Sequence, residues 1–230
     1  MKIKIKGVIV SNADKEIYDF FSIDAVSPND IENQIETAKG KDIDIEINSG
    51  GGDVYASSEI YTMLKDYKGK KTVKVMSIAG SGASVIAMAG DTRLISPTAE
   101  IMIHNVSICG AYGDYRAMDK FSDALQVANT SIANAYILAT GIEEREILEM
   151  MNKETWLTAQ EAVKLGFATE IMFDKELRLS ASLGSGLLPQ SVIEKTRNEI
   201  RNKQNEDIRR VPIDLYKLKN KILERKMQDV

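Results

Sequence analysis

The feature that most constrains this chain is a regular change of hydrophobic period before residue 90. Residues 2–10 and 42–47 carry isoleucine or valine at alternate positions, the spacing of a strand with one buried face. Residues 28–40 and 54–68 repeat apolar side chains at helical spacing, and the first of these helices begins with proline. Residues 72–78 are strand-like again. This alternation predicts parallel strands joined by right-handed helical crossovers, and hence an α/β domain.

Two glycine-rich turns follow strands of the predicted sheet, at residues 48–53 and 79–84. Functional groups in such sheets collect at the carboxyl ends of the strands. Ser84 then stands at the start of a helix of small apolar residues, where its Oγ is presented to a substrate. The residue after it offers a backbone N–H at the positive end of the helix. The alternative is a tight turn in which Ser84 only caps that helix.

His104 is the single histidine of the chain and ends the apolar strand 101–103. A serine nucleophile needs a base within hydrogen-bond reach, and His104 is the one imidazole available. Spacing does not choose the carboxylate that would orient this histidine. The glycines at 50–52 either donate N–H groups to an oxyanion or bind an extended peptide. A phosphate loop is disfavoured because GxxxxGK[ST] is absent.

The second half of the domain is mostly helical in pattern. Residues 115–140 form one long predicted helix, which either covers the sheet or contacts another subunit. A further helix is predicted over 142–151, another begins at Thr158, and residues 167–171 suit a last short strand. Short strands are also expected around 93–95.

Composition limits the class of protein. A net charge of −4 and a hydrophobic share of 43% are typical of a globular protein that does not bind nucleic acid. Cys109 is the single cysteine, which excludes an internal disulfide framework and fits a reducing compartment. CxxC and HExxH motifs are absent, so we expect no metal and no cofactor. Without an apolar run long enough for a bilayer, we expect a soluble cytoplasmic protein.

The composition changes near the end of the chain. Residues 182–189 are linker-like, and residues 191–230 hold eleven basic against seven acidic residues. We therefore predict a domain over 1–181 and a basic, helical or partly disordered extension over 182–230. Binding of nucleic acid or a partner by this extension is the alternative to a solvated tail.

Four segments in order resemble the ClpP family, the proteolytic subunits of the Clp protease. Residues 47–52 (Ile-Asn-Ser-Gly-Gly-Gly) resemble the family's Asn-Ser-Pro-Gly-Gly loop, with Gly50 in place of proline. Residues 80–84 resemble its nucleophile turn, and 102–104 match its Met-Ile-His. Residues 140–166, which include Glu-Thr-Trp-Leu-Thr-Ala-Gln-Glu-Ala, follow the family without a gap. The resemblance covers roughly residues 5–172.

The resemblance implies a role for each matching residue. Ser84 is the expected nucleophile, in preference to Ser81, and His104 is the general base. The family's aspartate falls on Glu154, with Asn152 or Glu100 as other contributors to that corner. Backbone groups of the two turns have the remaining roles. The N–H groups of Gly52 and Val85 are the expected oxyanion donors, and Gly50 and Gly51 are expected to bind the substrate strand.

The resemblance also implies a fold and partners. The expected architecture is the ClpP/crotonase-like fold, with repeated ββα and βαβ units and a protruding handle over residues 105–140. Such subunits form homo-oligomeric rings, heptamers or stacked double rings, and pair with AAA+ ATPases. The short N-terminal segment, the basic tail and the Glu-Thr-Trp motif resemble the head-maturation proteases of tailed phages, whose substrates are scaffold or capsid proteins inside the host cytoplasm or procapsid.

The leading hypothesis is therefore a serine endopeptidase that acts on peptides. Two alternatives come from other classes. One is an inactive ring-forming scaffold whose basic tail binds a capsid or nucleic acid. The other is a crotonase-like acyl-CoA enzyme, which shares the fold but has no need of a serine nucleophile.

Overall fold

The structure is a computed structural model of the chain, and it describes residues 1–173. Strands and helices alternate over most of this range. In chain order they are β1 (Lys2–Ile9), α1 (Lys15–Phe20), β2 (Ala25–Val26), α2 (Pro28–Ala38), β3 (Ile43–Gly52), α3 (Val54–Asp66), β4 (Lys71–Gly80), α4 (Gly82–Ala87), β5 (Thr92–Ile95), β6 (Glu100–Ile103), α5 (Tyr115–Thr140), α6 (Glu144–Asn152), β7 (Thr155–Leu157), α7 (Ala159–Lys164) and β8 (Glu170–Ile171).

The strands form one eight-stranded sheet in which the main path runs in the order β2-β1-β3-β4-β5-β8. The pairs along this path are parallel, which confirms the α/β architecture predicted from the alternating periods. β6 pairs in parallel with the last residues of β4 and carries β7 on its other side as an antiparallel neighbour. The carboxyl end of β4 is therefore the point where the sheet branches.

The two faces of β1 and β3 differ in chemistry. Their inward side chains are isoleucines in register, with Ile3 opposite Ile45 and Ile5 opposite Ile47, all buried. The outward side chains are charged and pair across strands, as in Lys2 with Glu46 at 2.7 Å. This alternation is the direct result of the period of two in the sequence.

The helix starts follow local capping chemistry. Ser27 and Asp30 form a capping box at α2, with Pro28 at the first helical position. Asp53 accepts a hydrogen bond from the Ala56 N–H and caps α3. The predicted helices over 28–40, 54–68 and 115–140 are confirmed within a few residues at their ends.

The sequence prediction differs from the structure at the glycine-rich turns. β3 continues to Gly52 and β4 to Gly80, so both strands run further than their alternating patterns indicate. As a result, α4 begins at Gly82 rather than at Ser84. The short elements α1, β2 and β7 were not predicted, because each is too short to display a period.

The handle helix α5 is 26 residues long, about 39 Å at 1.5 Å per residue. Its C-terminal part packs on the domain through Ala133, Ala135 and Tyr136, all buried. Arg93 fixes that end of the helix, since its guanidinium donates to the carbonyl oxygens of Ala139, Gly166, Phe167 and Gly90 at 3.0–3.1 Å. Burial lowers the pKa of Arg93.

The predicted boundary between 181 and 182 and the basic extension over 182–230 lie outside the described residues. Within residues 1–173, no helix combines the length and the hydropathy that crossing a bilayer requires.

Candidate active site

Ser81 occupies the sharp turn between β4 and α4. Its N–H donates to the Met102 carbonyl at 2.9 Å, which is the last bond between this chain segment and β6. Its backbone, at φ +51° and ψ −126°, lies in a region that glycine populates and other residues avoid. Such strain at a strand-to-helix turn is typical of a nucleophile elbow, which holds a serine hydroxyl at the edge of a sheet.

His104 lies directly against this turn. Because Gly80 pairs with Met102 in the β4–β6 ladder, the residue after β6 reaches the residue after β4. The His104 Nε2 is 2.7 Å from the Ser81 Oγ, a short hydrogen bond. Both side chains are half-buried. The predicted contact between the single histidine and a serine of this turn is present, but the serine is Ser81.

Ser84 does not meet His104, and the choice of Ser84 over Ser81 is corrected by the geometry. Ser84 is 0% exposed and lies inside α4. Its Oγ donates to the Ser81 carbonyl at 2.6 Å and lies 2.8 Å from the Tyr136 hydroxyl. Burial raises the pKa of Tyr136, an effect that its hydrogen bond with Ser84 partly opposes. A substrate cannot reach Ser84 without opening the core.

The predicted role of Val85 as an oxyanion donor fails for the same reason. Its N–H donates to the Ser81 carbonyl at 3.3 Å and belongs to the first turn of α4. The residue that follows the accessible serine is Gly82, the first residue of that helix. The first N–H groups of a helix have no partner within it. Gly82 therefore takes the place that the sequence reasoning gave to Val85.

The glycines at the end of β3 pack against this turn. A Cβ at Gly51, whose φ is +97°, would lie 2.7 Å from the Ser81 Cβ and 2.8 Å from the Gly82 nitrogen. The Gly51 N–H is already bonded to the Ser49 Oγ at 3.0 Å, so this group is engaged within the protein. Gly50 and Gly52, by contrast, line the same cavity as Ser81 and His104.

This cavity has a volume of about 400 Å³. Its lining comes from four parts of the fold: the end of β3 with the start of α3, the Ser81 turn with the start of α4, the end of β6 with the segment after it, and α5. The residues involved are Gly50, Gly52, Asp53, Val54, Tyr55, Ser57, Ser81, Gly82, Val85, Met102, His104, Asn105, Val106, Ser107 and Ile132. The mixture of backbone edges and apolar side chains suits an extended peptide better than a compact polar molecule.

Glu154, the predicted acid, points elsewhere. Its side chain is exposed, and Oε1 accepts from the Trp156 indole N–H at 3.3 Å. Among the ion pairs of residues 1–173, none joins His104 to an aspartate or glutamate. The pairing of His104 with Glu154 that the resemblance implies is absent from this arrangement.

The residue that follows His104 takes part in an amide pair. Asn105 Nδ2 donates to Asn152 Oδ1 at 2.8 Å, while Asn105 Oδ1 is buried and has no partner in the described part of the chain. Asn152, named as an alternative contributor, is therefore bonded to the residue after His104, with no bond to His104 itself among the described residues. Glu100, the other alternative, stands at the opposite end of β6.

Ser81, which the sequence analysis placed second to Ser84, and Gly82, which it did not name, are the candidate site residues that the geometry adds. One signal in the sequence favours them: an elbow needs small residues on both sides of the nucleophile, and Ser81 has Gly80 and Gly82 as neighbours. Ser84 is followed by the branched Val85. The need is steric, since a Cβ at position 82 would lie 2.1 Å from the Ser57 Oγ.

Comparisons with known proteins agree with this fold. The family profile described as Clp protease matches residues 23–175. The ATP-dependent Clp protease proteolytic subunit 1 of Chlamydia muridarum is 32% identical over 141 residues, 60% of this chain and 73% of that protein. The ATP-dependent Clp protease proteolytic subunit of Streptococcus mutans is 33% identical over 142 residues, 60% of this chain and 72% of that protein.

The solved structures give the same architecture. A mutant form of ClpP1 from Listeria monocytogenes superposes with a TM-score of 0.61 at 21% identity, and the match covers 74% of this chain and 90% of that one. At this level of identity the likeness shows the fold, including the mostly parallel sheet. The family match extends over most of the described residues. This chain belongs to the Clp protease family.

Proposed function

We propose that this protein is a serine endopeptidase in which Ser81 is the nucleophile and His104 the general base. The observation that carries the proposal is the 2.7 Å contact between the His104 Nε2 and the Ser81 Oγ, on a strained turn at the wall of a cavity. In the neutral tautomer protonated at Nδ1, Nε2 accepts the serine proton. This activates a hydroxyl that is otherwise a weak nucleophile.

The reaction follows from this pairing. The Ser81 Oγ attacks the scissile carbonyl carbon while its proton passes to His104 Nε2. The tetrahedral intermediate collapses as the imidazolium returns that proton to the leaving amine, and an acyl-enzyme remains. Water, deprotonated by His104, then attacks the ester carbon and restores the Ser81 hydroxyl.

Two backbone N–H groups are proposed to stabilise the oxyanion, those of Gly82 and Gly52. Gly82 follows the nucleophile at the start of α4, and Gly52 lines the same cavity. Its nitrogen lies 3.8 Å from the position that a Cβ of Gly82 would take. Gly50 is then available to bind the substrate strand, as the sequence predicted, while Gly51 keeps the space behind the turn clear.

The catalytic unit of this arrangement is a dyad. A carboxylate acceptor normally orients the histidine and stabilises the imidazolium. Here the residue that follows His104, Asn105, is bonded to Asn152, and Glu154 is bonded to Trp156. The dyad is the minimum needed for acyl transfer, since it supplies a nucleophile and a base beside the proposed oxyanion donors.

The proposed quaternary role is that of a ring-forming proteolytic subunit. The matched relatives are named as proteolytic subunits of an ATP-dependent protease. Support within the chain comes from α5, which exposes large apolar side chains along its length, including Tyr115 at 70%, Val127 at 68% and Leu138 at 76%. Contacts between copies through this handle would cover them.

A finer proposal concerns the biological substrate. The Glu154-Thr155-Trp156 motif and the basic tail resemble phage head-maturation proteases, which favours a capsid or scaffold protein as substrate. The same proposal leaves two choices of partner, an AAA+ ATPase or a capsid or scaffold protein. It also leaves two choices of location, the host cytoplasm or the procapsid. Processing of a capsid or scaffold precursor in a co-expression assay would test it.

The catalytic proposal is tested by covalent labelling of the full chain in its assembled state with a fluorophosphonate. Oγ displaces fluoride from phosphorus, and the adduct is mapped by tandem mass spectrometry in the tryptic peptide 75–93, which holds both Ser81 and Ser84. We expect the label on Ser81. Labelling should be lost in Ser81→Ala and strongly reduced in His104→Ala.

Other outcomes identify the competing functions. A wild-type chain that stays unlabelled would favour an inactive scaffold, since the Glu154 geometry leaves the base without a carboxylate. A label on Ser84 would restore the assignment made from sequence. Saturable binding of acyl-CoA by unlabelled protein, measured by calorimetry, would favour the crotonase-like alternative.

A further inference from the structure

Ser84 lies in a buried chain of hydroxyl groups that ends on the backbone of the nucleophile. Its Oγ is 2.8 Å from the Tyr136 hydroxyl and 2.6 Å from the Ser81 carbonyl oxygen. Ser84 and Tyr136 are both 0% exposed. The catalytic scheme above makes no use of either group, so this polar pair in the core needs a reason of its own.

The direction of the hydrogen bonds follows from counting protons. A carbonyl only accepts, so the Ser84 hydroxyl donates its single proton to Ser81. The Tyr136 hydroxyl must then donate to the Ser84 Oγ. Donors and acceptors aligned in this way strengthen one another.

The acceptor at the end of this chain belongs to one particular peptide group. The Ser81 carbonyl shares its peptide plane with the Gly82 N–H, the proposed oxyanion donor. That peptide bond is trans, as are the peptide bonds throughout residues 1–173, so the carbonyl and the N–H point in opposite directions. Whatever fixes the Ser81 carbonyl therefore aims the Gly82 N–H.

Three donors converge on that carbonyl. Besides the Ser84 hydroxyl, it accepts from the Ser84 N–H at 2.9 Å and from the Val85 N–H at 3.3 Å. All three lie on the helix side of the peptide group, which leaves the N–H directed out of the helix, toward the cavity that Gly82 lines. Of the three, the hydroxyl makes the shortest bond.

We infer that Ser84 is a positioning residue that holds the Ser81–Gly82 peptide group, and with it the Gly82 N–H, in the orientation that stabilises the oxyanion. Tyr136 orients the Ser84 hydroxyl and connects this peptide group to the base of the handle helix. The inference rests on the proposed function, in which Ser81 attacks and Gly82 receives the developing charge.

A purely structural tie between α4 and α5 is the competing explanation. Such a tie would stabilise the fold without acting on the step that forms the oxyanion. The two explanations differ in what Ser84→Ala changes, because alanine keeps the helix but removes the hydroxyl that donates to the Ser81 carbonyl. The two explanations also differ in what Tyr136→Phe changes, because this variant keeps the Ser84 hydroxyl that donates to the Ser81 carbonyl.

The experiment measures saturable fluorophosphonate labelling of the assembled full chain, which separates the maximal rate kinact from the binding constant KI. In the adduct, the phosphoryl oxygen takes the place of the oxyanion. Removal of a whole oxyanion donor lowers the rate about 10²–10³-fold, so Ser84→Ala, which only loosens one, should lower kinact about tenfold. KI and the pH dependence of kinact should stay unchanged, because His104 is untouched.

Two further variants make the result decisive. Ser84→Ala alone leaves the Tyr136 hydroxyl buried without its Ser84 partner, whereas the double variant Ser84→Ala/Tyr136→Phe removes both groups together. The double variant should fold and still show the lowered kinact expected for Ser84→Ala. Ser27→Ala, which removes a buried serine at the cap of α2, matches the loss of stability and should keep the wild-type kinact.

The outcomes separate the two levels of the proposal. A wild-type chain that is not labelled on Ser81 overturns both the catalytic assignment and this inference. If the wild type is labelled on Ser81 and the double variant has the wild-type kinact, the positioning role of Ser84 alone is overturned. A change in KI or in the pH profile, with kinact unchanged, would do the same.

Discussion

Replacement of Gly51 by alanine tests whether the nucleophile turn needs an empty space behind it. Position 51 has φ +97°, where an L-residue is strained by about 1–2 kcal/mol. Its Cβ would lie 2.7 Å from the Ser81 Cβ, 2.8 Å from the Gly80 oxygen and 2.8 Å from the Gly82 nitrogen. Backbone cannot give way as a flexible side chain does, so the turn itself must move.

The expected cost combines both effects. Strain and overpacking together should lower the free energy of unfolding by about 2–4 kcal/mol. At about 2–4 °C per kcal/mol, the melting temperature falls by roughly 5–15 °C. The shift of the Gly82 N–H removes the proposed oxyanion donor, so kinact for the fluorophosphonate should fall about 100-fold or more.

Two matched variants separate these causes. Gly40→Ala has the same kind of strain, at φ +75°, with nothing within 4 Å of the new methyl group. It should lose stability and keep the labelling rate. Gly50→Ala lies in the site with open space around its methyl group and no positive φ, and should keep the fold and most of the labelling. Labelling and calorimetry on the same preparations measure both quantities.

Labelling of Gly51→Ala at the wild-type rate would contradict the need for an empty space behind the turn, since the methyl group would then not disturb the proposed oxyanion donor. An equal loss of labelling in Gly40→Ala would contradict it in another way, because backbone strain alone would then account for the effect.

Two charged side chains make further predictions. Desolvation opposes ionisation of Asp91, but hydrogen bonds from the Lys71 N–H and Nζ, together with the Lys71 charge, outweigh this and lower the pKa of Asp91. The resulting stability is present above the unfolded-state pKa near 3.8 and is lost as pH falls through the lower folded-state pKa. Because solvent screens this partly exposed carboxylate, Asp91→Asn should lower the free energy of unfolding by only about 1 kcal/mol at pH 7. It should also reduce the decline in stability below pH 4, measured by urea unfolding. An unchanged pH dependence of stability would contradict this. In Arg93→Lys, one ammonium group cannot reach the four carbonyls that the guanidinium contacts, so the free energy of unfolding should fall by about 2 kcal/mol. Thermal unfolding measures this loss. A variant of wild-type stability would contradict the role of Arg93 in fixing the end of α5.

The sequence predicted the architecture well because hydrophobic period determines which face of each strand and helix is buried. The isoleucines of β1 and β3 and the capped start of α2 left few alternatives. Residues 115–140 were predicted as one helix, and α5 spans that range. The short elements were missed because a strand of two residues, such as Ala25–Val26, has no period to read.

The site was predicted in part. His104 was found because it is the single histidine at a strand end, but the choice between two serines depended on where β4 stops. The alternating pattern fades at Ile78, whereas pairing with β6 extends the strand to Gly80. With α4 beginning at Gly82, the turn predicted over residues 79–84 shrinks to Ser81 alone. The identity of a turn residue is thus a tertiary property, set by a neighbouring strand that lies some twenty residues later in the sequence.

The pairing of β1 with β3 has a consequence for folding. The two strands repeat themselves, with isoleucine at alternate positions inside and lysine facing acidic residues outside. A shift of β1 against β3 by one residue would expose the isoleucine side chains to solvent. A shift by two residues leaves isoleucine opposite isoleucine and lysine opposite carboxylate. Side-chain chemistry along these strands therefore specifies only whether the shift is odd or even, and the shifted pairings are near-degenerate competitors during folding.

The strand ends remove this ambiguity. At Gly52 the backbone of β3 approaches Ile9 of β1 so closely that a Cβ would lie 2.0 Å from the Ile9 oxygen. This contact forms only in the native alignment, and only where the side chain is a hydrogen atom. Gly52 also lines the cavity beside Ser81. One glycine thus acts both in the alignment of the sheet and in the shape of the cavity, so an error in strand alignment is also an error in the candidate active site.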